Sequence, residues 1–256
     1  DRGSVHSDPR MAMPSRRAPA TRWLVVTATV LAAAGCTPQS VTEQGQAIYN
    51  LYNLFMYIAA VVFVVVSGLV IWSVVRYRRR DDELPTQTHG NNKLELTWTV
   101  IPTVIVLFLF VVTIQAQDKV LDSPGDADVN VTVTAFQWSY RFTYVGTGAE
   151  VLGSPESIPE MVVPVGQRVR VKLLSADVVH TFYVPQTLFK RQAIPGTVNE
   201  FDLTFEKEGL YHGQCTQFCG LQHTDMTFRV RVVNQGQYQT WLAETTRRGS
   251  AGQPGT

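Results

Sequence analysis

Two long apolar stretches, residues 54–75 and about 96–116, limit what this chain can fold into. Each has the roughly 20 apolar residues needed to cross a bilayer. In hydrocarbon no water can satisfy backbone N–H and C=O groups, so a crossing segment of this kind must be helical. The first stretch is nearly all Val, Ile, Leu, Phe and Ala, and Ser67, Gly68 and Ser73 are its small interruptions. Trp72 and Tyr77 stand where an interfacial aromatic belt belongs. Arg76, Arg78, Arg79 and Arg80 follow at once, which marks that end as cytoplasmic. The second stretch opens near Glu95 and carries Pro102 in its expected first turns, where a missing N–H costs least. It closes on Gln115, Gln117 and Asp118 with no arginine cluster. The expected topology is a helical hairpin with its connection inside and both ends outside.

An earlier apolar run, Trp23 to Ala34, is too short to span comfortably. Arg16, Arg17 and Arg22 precede it, the layout of an export signal. It ends in Ala33-Ala34-Gly35-Cys36, which resembles a lipoprotein processing site with Cys36 as the acylated residue; an ordinary cleaved signal is the other reading. Either gives the outer domain the same orientation as the arginine rule. The chain therefore divides into a disordered N-terminus with export signal (1–36), a two-helix anchor (45–118), an outer domain (119–243) and a flexible tail (244–256).

The outer segment alternates with period two in Val129-Asn-Val-Thr-Val-Thr, Arg168-Val-Arg-Val-Lys-Leu and Met226-Thr-Phe-Arg-Val-Arg-Val, as half-buried strands do. Turn signals at Pro124-Gly125, Gly146-Thr-Gly148, Pro164-Val-Gly166, Pro195-Gly196 and Glu208-Gly209 separate the strands. Short strands at this spacing predict a β-sandwich or barrel. A short helix is expected from Gln235 to about Thr246. The formal net charge of +1 offers no basis for nucleic-acid binding.

Chemistry concentrates in Cys215-Thr-Gln-Phe-Cys219-Gly-Leu-Gln-His223-Thr-Asp-Met226. Four soft or borderline metal donors fall within this segment, and His180 lies upstream in Ser175-Ala-Asp-Val-Val-His180. Thiolate, thioether and imidazole together favour copper. Two close thiolates can bridge two ions that share charge, which suits electron transfer because little moves when an electron arrives. Phe218, between the cysteines, is expected to exclude water. Three rivals remain open on spacing alone. A Cys2His2 zinc site has no use for Met226. A Cys215–Cys219 disulfide is compatible with an exported domain. A mononuclear blue-copper site would leave one cysteine idle. No Cys-x-x-Cys-His is present, so no c-type haem is attached to this chain.

The Cys-x3-Cys-x3-His-x2-Met pattern with an upstream Asp-Val-x-His resembles the CuA domain of the cytochrome c oxidase subunit II family. So do Glu95-Leu-Thr-Trp98-Thr-Val-Ile-Pro102, Phe136-Gln-Trp138-Ser-Tyr140, Leu188-Phe-Lys190-Arg-Gln-Ala-Ile-Pro195-Gly196 and Leu210-Tyr-His-Gly-Gln-Cys215. The resemblance covers residues 45–243, and the export signal looks like bacterial, notably actinobacterial, forms. It implies a membrane-anchored, mainly β protein: two transmembrane helices plus a cupredoxin-like β-sandwich on the outer face of a bacterial plasma membrane. It implies two coppers bridged by Cys215 and Cys219, with His180 and His223 as nitrogen ligands, Met226 as a weak axial ligand and the Gln217 carbonyl as the other. Trp138 is implied as the entry point for electrons from cytochrome c, Asp177 as a contributor to donor docking, and Glu95 as the mouth of a proton channel in subunit I. The implied partners are subunit I and other oxidase subunits, cytochrome c and membrane lipid. The sequence departs from the family in three places. Many relatives have Glu at 217, where the carboxylate helps bind an interface magnesium, so Gln217 weakens that cofactor's site. Tyr140 stands where a second Trp is frequent. Arg141 replaces an acid, which makes the docking face less acidic. A standalone electron carrier on the outer face is the competing reading, and a lone carrier needs only one anchor. A quinol-oxidase subunit would have lost the five donor side chains that are present here.

Overall fold

The computed structural model describes residues 39–79, 87, 89–121, 123 and 125–251. The export signal, Cys36 and Arg80 lie outside the described residues. Helix α1 spans Glu43–Arg76 and helix α2 spans Asn92–Leu121. Their most apolar windows have mean hydropathies of 2.8 and 2.4 and none of either window is buried within the chain. An all-round apolar helix left uncovered by its own protein is one whose solvent is lipid.

Both helices begin before the apolar run, and capping chemistry explains why. The Thr42 hydroxyl accepts from Gly45 N–H, and Glu43 sits in the first turn, where the helix dipole favours an acid. The extra turns of α1 meet the outer domain. At α2 the Asn91 side-chain oxygen accepts from the N–H groups of Lys93 and Leu94, while Glu95 Oε1 accepts from Asn91 N–H. This reciprocal cap starts α2 at Asn92, so Pro102 lies in the helix interior rather than in the first turns. The proline leaves the Trp98 carbonyl without its usual helical donor.

Among the described residues ten strands follow: β1 (Val129–Phe136), β2 (Ser139–Tyr144), β3 (Glu150–Leu152), β4 (Glu160–Pro164), β5 (Arg168–Ser175), β6 (His180–Val184), β7 (Phe189–Ala193), β8 (Asn199–Thr204), β9 (Gly209–Gln214) and β10 (Thr227–Val233). They form two five-stranded sheets, ordered β3-β2-β1-β5-β8 and β4-β10-β9-β6-β7. The β1–β5 and β4–β10 pairs are parallel; the other neighbours are antiparallel. β1 buries Val129, Val131, Val133 and Ala135 while the residues between them remain half-buried, as its period predicts. Between the sheets Tyr140, Phe142, Phe182 and Phe228 pack as an aromatic cluster with ring centroids 4.6–6.4 Å apart. Gly213 is required beside it, because a Cβ there would collide with the Phe228 ring. Each fully buried aromatic of this kind contributes about 2 kcal/mol from area alone.

The terminal helix α3 runs Gln235–Ala251, past the expected end near Thr246, so the expected loose tail from 244 begins in helix. Tyr238 is buried, and Trp241 meets Tyr144 edge-on at 4.9 Å, which ties α3 to the sandwich.

Two joints fix the domain to the anchor. Val41 N–H donates to Gln186 C=O, Glu206 N–H donates to Val41 C=O, and the Gln44 amide oxygen accepts from Thr204 N–H. Gly45 makes that approach possible, since a Cβ there would collide with Ser40 Oγ and the Thr187 carbonyl. On the other side Arg170 donates to the Ser123 and Gly125 carbonyls at 2.9 Å each and grips Asp202 through Nε and Nη2 at 2.9 and 3.0 Å. The Asp202 side chain is 2 % exposed and that of Arg170 13 %. Replacing Asp202 with Ala should therefore cost about 3 kcal/mol, the order expected when one member of a buried pair is removed. The measurement is the Tm of the detergent-solubilised full chain, and an unchanged Tm would show the pair to be dispensable.

Candidate metal centre

The donor-rich segment is the connection between β9 and β10. Cys215 N–H donates to Met226 C=O at 3.0 Å, one step beyond the Thr227–Gln214 pairing, so the sheet ladder closes the loop at its base. Inside the loop His223 N–H bonds Gly220 C=O and Asp225 N–H bonds Gln222 C=O, which makes a compact turn. His180, the first residue of β6, comes from the neighbouring strand of the same sheet.

These elements bring five side chains and one carbonyl to a single point. The two thiol sulfurs are 3.9 Å apart and unbonded. Met226 Sδ lies 3.7 Å from Cys219 Sγ, and His223 Nδ1 lies 3.5 Å from it. The Gln217 carbonyl is 3.2 Å from Cys215 Sγ. One ligand atom each from His180, Cys215 and Cys219 lies within 4.8 Å of the others. His180, Cys215, Cys219 and Met226 are all buried.

Asp177 sets the tautomer and orientation of His180. Its Oδ1 is 2.7 Å from His180 Nε2 and also accepts from Val178 N–H, while Oδ2 accepts from Gln137 N–H at 2.7 Å. The other ring nitrogen, Nδ1, is buried and has no hydrogen-bond partner among the described residues. A buried polar atom with no partner is costly. An imidazole held by a carboxylate on one nitrogen and bare on the other is the usual form of a metal-ligating histidine. The donor set therefore fits a soft or borderline metal ion.

The electrostatics describe one removable proton. Burial raises the Cys215 thiol, but the adjacent His180 ring, the Gln217 and Thr181 backbone and the Cys219 thiol outweigh it and bring it down to about 6. Burial and the Cys215 thiolate push Cys219 up to about 12. The opposite directions follow from placing two like charges within 4 Å in a buried site. Burial lowers His180, yet the neighbouring Cys215 thiolate and the Asp177 carboxylate leave it raised overall. Tyr140 is held well above the ordinary phenol range, first by burial and then by Cys215, and its hydroxyl donates to the Thr181 carbonyl at 2.6 Å.

The remaining expected residues are placed as follows. Trp138 is half-buried beside the loop, and its Nε1 donates to the Cys219 carbonyl at 3.3 Å. Gln137, which local pattern left without a role, donates to the same carbonyl at 2.7 Å. Gly220 permits this approach: its φ is +123°, and a Cβ would sit 3.0 Å from Gln137 Nε2 and 3.1 Å from Trp138 Nε1. Phe218 is 77 % exposed and points outward, so the expected shielding of the site by this ring is not what the fold provides. Exclusion of water comes from the sandwich beneath, where Met226 and Phe228 are fully buried. The Gln217 side chain accepts from Gln192 at 3.3 Å. Arg141 faces Glu150 at 3.7 Å, with both side chains nearly half exposed. Glu95 is exposed at the opposite end of α2, roughly 40 Å of helix away at 1.5 Å per residue.

Comparison with known proteins agrees with this architecture. The family model for the cytochrome c oxidase subunit II transmembrane domain matches residues 32–115, and that for the subunit II periplasmic domain matches residues 152–233. A probable cytochrome c oxidase subunit 2 of Streptomyces avermitilis is 32 % identical over 93 % of this chain and 91 % of its own. Cytochrome c oxidase subunit 2 of Mycobacterium tuberculosis is 30 % identical over 81 % of this chain and 74 % of its own. Among solved structures, the periplasmic domain of cytochrome oxidase subunit II from Bradyrhizobium japonicum is 32 % identical, covers 49 % of this chain and 99 % of its own, and superposes with a TM-score of 0.46.

The proton count is testable on the metal-free full chain. In a full chain carrying Cys36→Ser, which leaves only the two paired thiols, thiolate absorbance should rise by one thiolate per chain through about pH 6, because the lowered group ionises there, with the second step only in strong alkali. In Cys215→Ser the step near pH 6 should vanish and Cys219, relieved of its charged neighbour, should ionise well below 12. Two thiols ionising together near 8.5 would refute the coupled pair.

Proposed function

Because this chain belongs to the cytochrome c oxidase subunit II family, we propose that it carries electrons from cytochrome c, across a dinuclear copper site in its outer domain, to subunit I of a respiratory oxidase. The parent enzyme is an oxidoreductase, and the sandwich stands on the outer side of the membrane with two helices below it. Reduction of oxygen to water and proton translocation belong, in this reading, to the partner subunits.

One observation supports the reading above others: the buried, unpartnered His180 Nδ1 faces two thiols 3.9 Å apart, with a thioether, a second imidazole and a carbonyl around them. His180, Cys215, Cys219, His223 and Met226, with the Gln217 carbonyl, are the proposed holders of two copper ions. Bound there, the pair would supply one-electron storage with little change in shape. Zinc would leave Met226 without a purpose, and a single copper would leave one thiol unused.

The chain's own residues do the rest. The β9–β10 ladder and the Asp177–His180 bond hold the donors still, so an electron can arrive and leave without ligand rearrangement. Trp138, touching the Cys219 carbonyl, is the proposed contact for the electron donor. Asp177 is assigned to holding His180 before any part in docking, because both of its oxygens are engaged within the chain. Gln217 supplies a neutral amide where a carboxylate would favour magnesium, so an interface magnesium would have to rely on groups from subunit I. Glu95, exposed at the inner end of α2, is the proposed mouth of the proton path that subunit I completes. A carboxylate at the edge of the hydrocarbon persists where it is hydrated or used.

Two measurements test this. Metal analysis of the intact oxidase should assign two coppers to this chain, and Cys215→Ser or Cys219→Ser should abolish the signal of a copper pair sharing one unpaired electron. A single zinc would overturn the copper reading. For Glu95, the Gln variant should slow reduction of the oxygen site while copper reduction by cytochrome c keeps its rate. Normal turnover in that variant, with metals and haems loaded, would remove Glu95 from the mechanism.

A further inference from the structure

The turn between β1 and β2 is bound to the metal loop by more than Trp138. Gln137 makes three links at once. Its backbone N–H donates to Asp177 Oδ2 at 2.7 Å, and Asp177 in turn holds His180. Its side-chain Nε2 donates to the Cys219 carbonyl at 2.7 Å, shorter than the 3.3 Å bond from Trp138 Nε1 to the same oxygen. Through the chain it fixes the backbone of Trp138 directly. Gly220 leaves only enough room for this arrangement. A single carbonyl, belonging to one of the two thiol residues, thus receives both side chains of the Gln137–Trp138 pair.

The indole bond alone is long, and Trp138 is only half-buried, so packing on one side does not fix the ring. The stronger constraint is the amide of Gln137. We propose that Gln137 is the positioning residue for electron entry: it clamps Trp138 against the Cys219 carbonyl and, through Asp177, joins that contact to the His180 ring. The ring, the loop and the histidine then move as one body. This rests on the reading of Trp138 as the donor contact. Gln137 itself exchanges no electron. It sets the fraction of time that the indole lies against the loop, and hence the rate of entry once a donor is bound.

Gln137→Met keeps the length of the side chain and its backbone N–H but removes the donor to Cys219. In the intact oxidase its kcat for electron input at saturating cytochrome c should fall roughly 2- to 10-fold, the factor by which loss of one net hydrogen bond depopulates the held conformer. The KM for cytochrome c and the near-infrared copper band should stay at their parent values. In the metal-free full chain, amide exchange across residues 136–139 should quicken while the β9–β10 strands keep their protection. Trp138→Phe is measured beside it. If that variant keeps the parent rate, the entry reading fails. If Trp138→Phe is slow while Gln137→Met keeps both its rate and its exchange protection, the entry reading stands and the clamp is overturned. If Gln137→Met loses the copper band, exchange in the metal-free chain decides: faster exchange confined to 136–139 supports the clamp, and unchanged exchange overturns it.

Discussion

The hydrogen bond from Cys215 N–H to Met226 C=O closes the loop that carries four of the five donor side chains. It is continuous with the antiparallel β9–β10 ladder, so the ends of the loop inherit the rigidity of a sheet that is buried on its inner face. Only with that base fixed can the turn at 220–225 place His223 against Cys219 and leave Met226 beneath both. The opposing donor, His180, needs no loop closure of its own because it opens a strand of the same sheet. The centre therefore lies at the strand ends of one sheet, beside the aromatic cluster between the two. Beneath the ligands Met226 and Phe228 are fully buried, and Gly213 lies directly against the Phe228 ring, which limits their movement.

Burial has opposing effects at this site. It makes the bare His180 nitrogen and a second thiolate costly, which disfavours the metal-free arrangement. It also strengthens every interaction a cation would make with the thiolates and imidazoles. The carboxylate of Asp177 takes part in this balance from outside, where it is partly hydrated: it fixes which nitrogen of His180 faces inward without adding charge to the interior.

The anchor and the outer domain are joined by backbone rather than by side-chain contact alone. The segment before α1 lies against the domain through bonds to Gln186 and Glu206, and the linker after α2 is held by Arg170 on carbonyls at Ser123 and Gly125. Two attachments on two helices restrict rotation of the sandwich over the membrane. In the proposed function, such a restriction would keep the metal centre facing both a mobile donor and a fixed partner. Meanwhile the apolar faces of both helices are left exposed by the described residues of this chain, as expected of segments that meet lipid or other subunits.

The two membrane helices, their orientation and the alternation of the principal strands were legible in the sequence because each depends on local pattern: apolar length, an arginine cluster, period two. The donor types were legible too, since four of them lie within one short segment. Local pattern could not give the helix starts, which capping by Thr42 and Asn91 moved outward until Pro102 became interior. Nor could it give the length of α3, whose hold on the sandwich comes through Tyr238 and Trp241. Phe218 lies between two buried cysteines in sequence, yet the turn of the loop sends it outward. The link from Gln137 to Cys219 spans 82 positions, and that from Asp177 to Gln137 spans 40. Thus the sequence by itself determined which atoms were available to bind metal and on which side of a membrane they stand, because composition and short-range periodicity carry that information. Only the tertiary structure decided which nitrogen of His180 is bare, which thiol ionises first and what holds Trp138, because each depends on strands brought together by burial from distant parts of the chain.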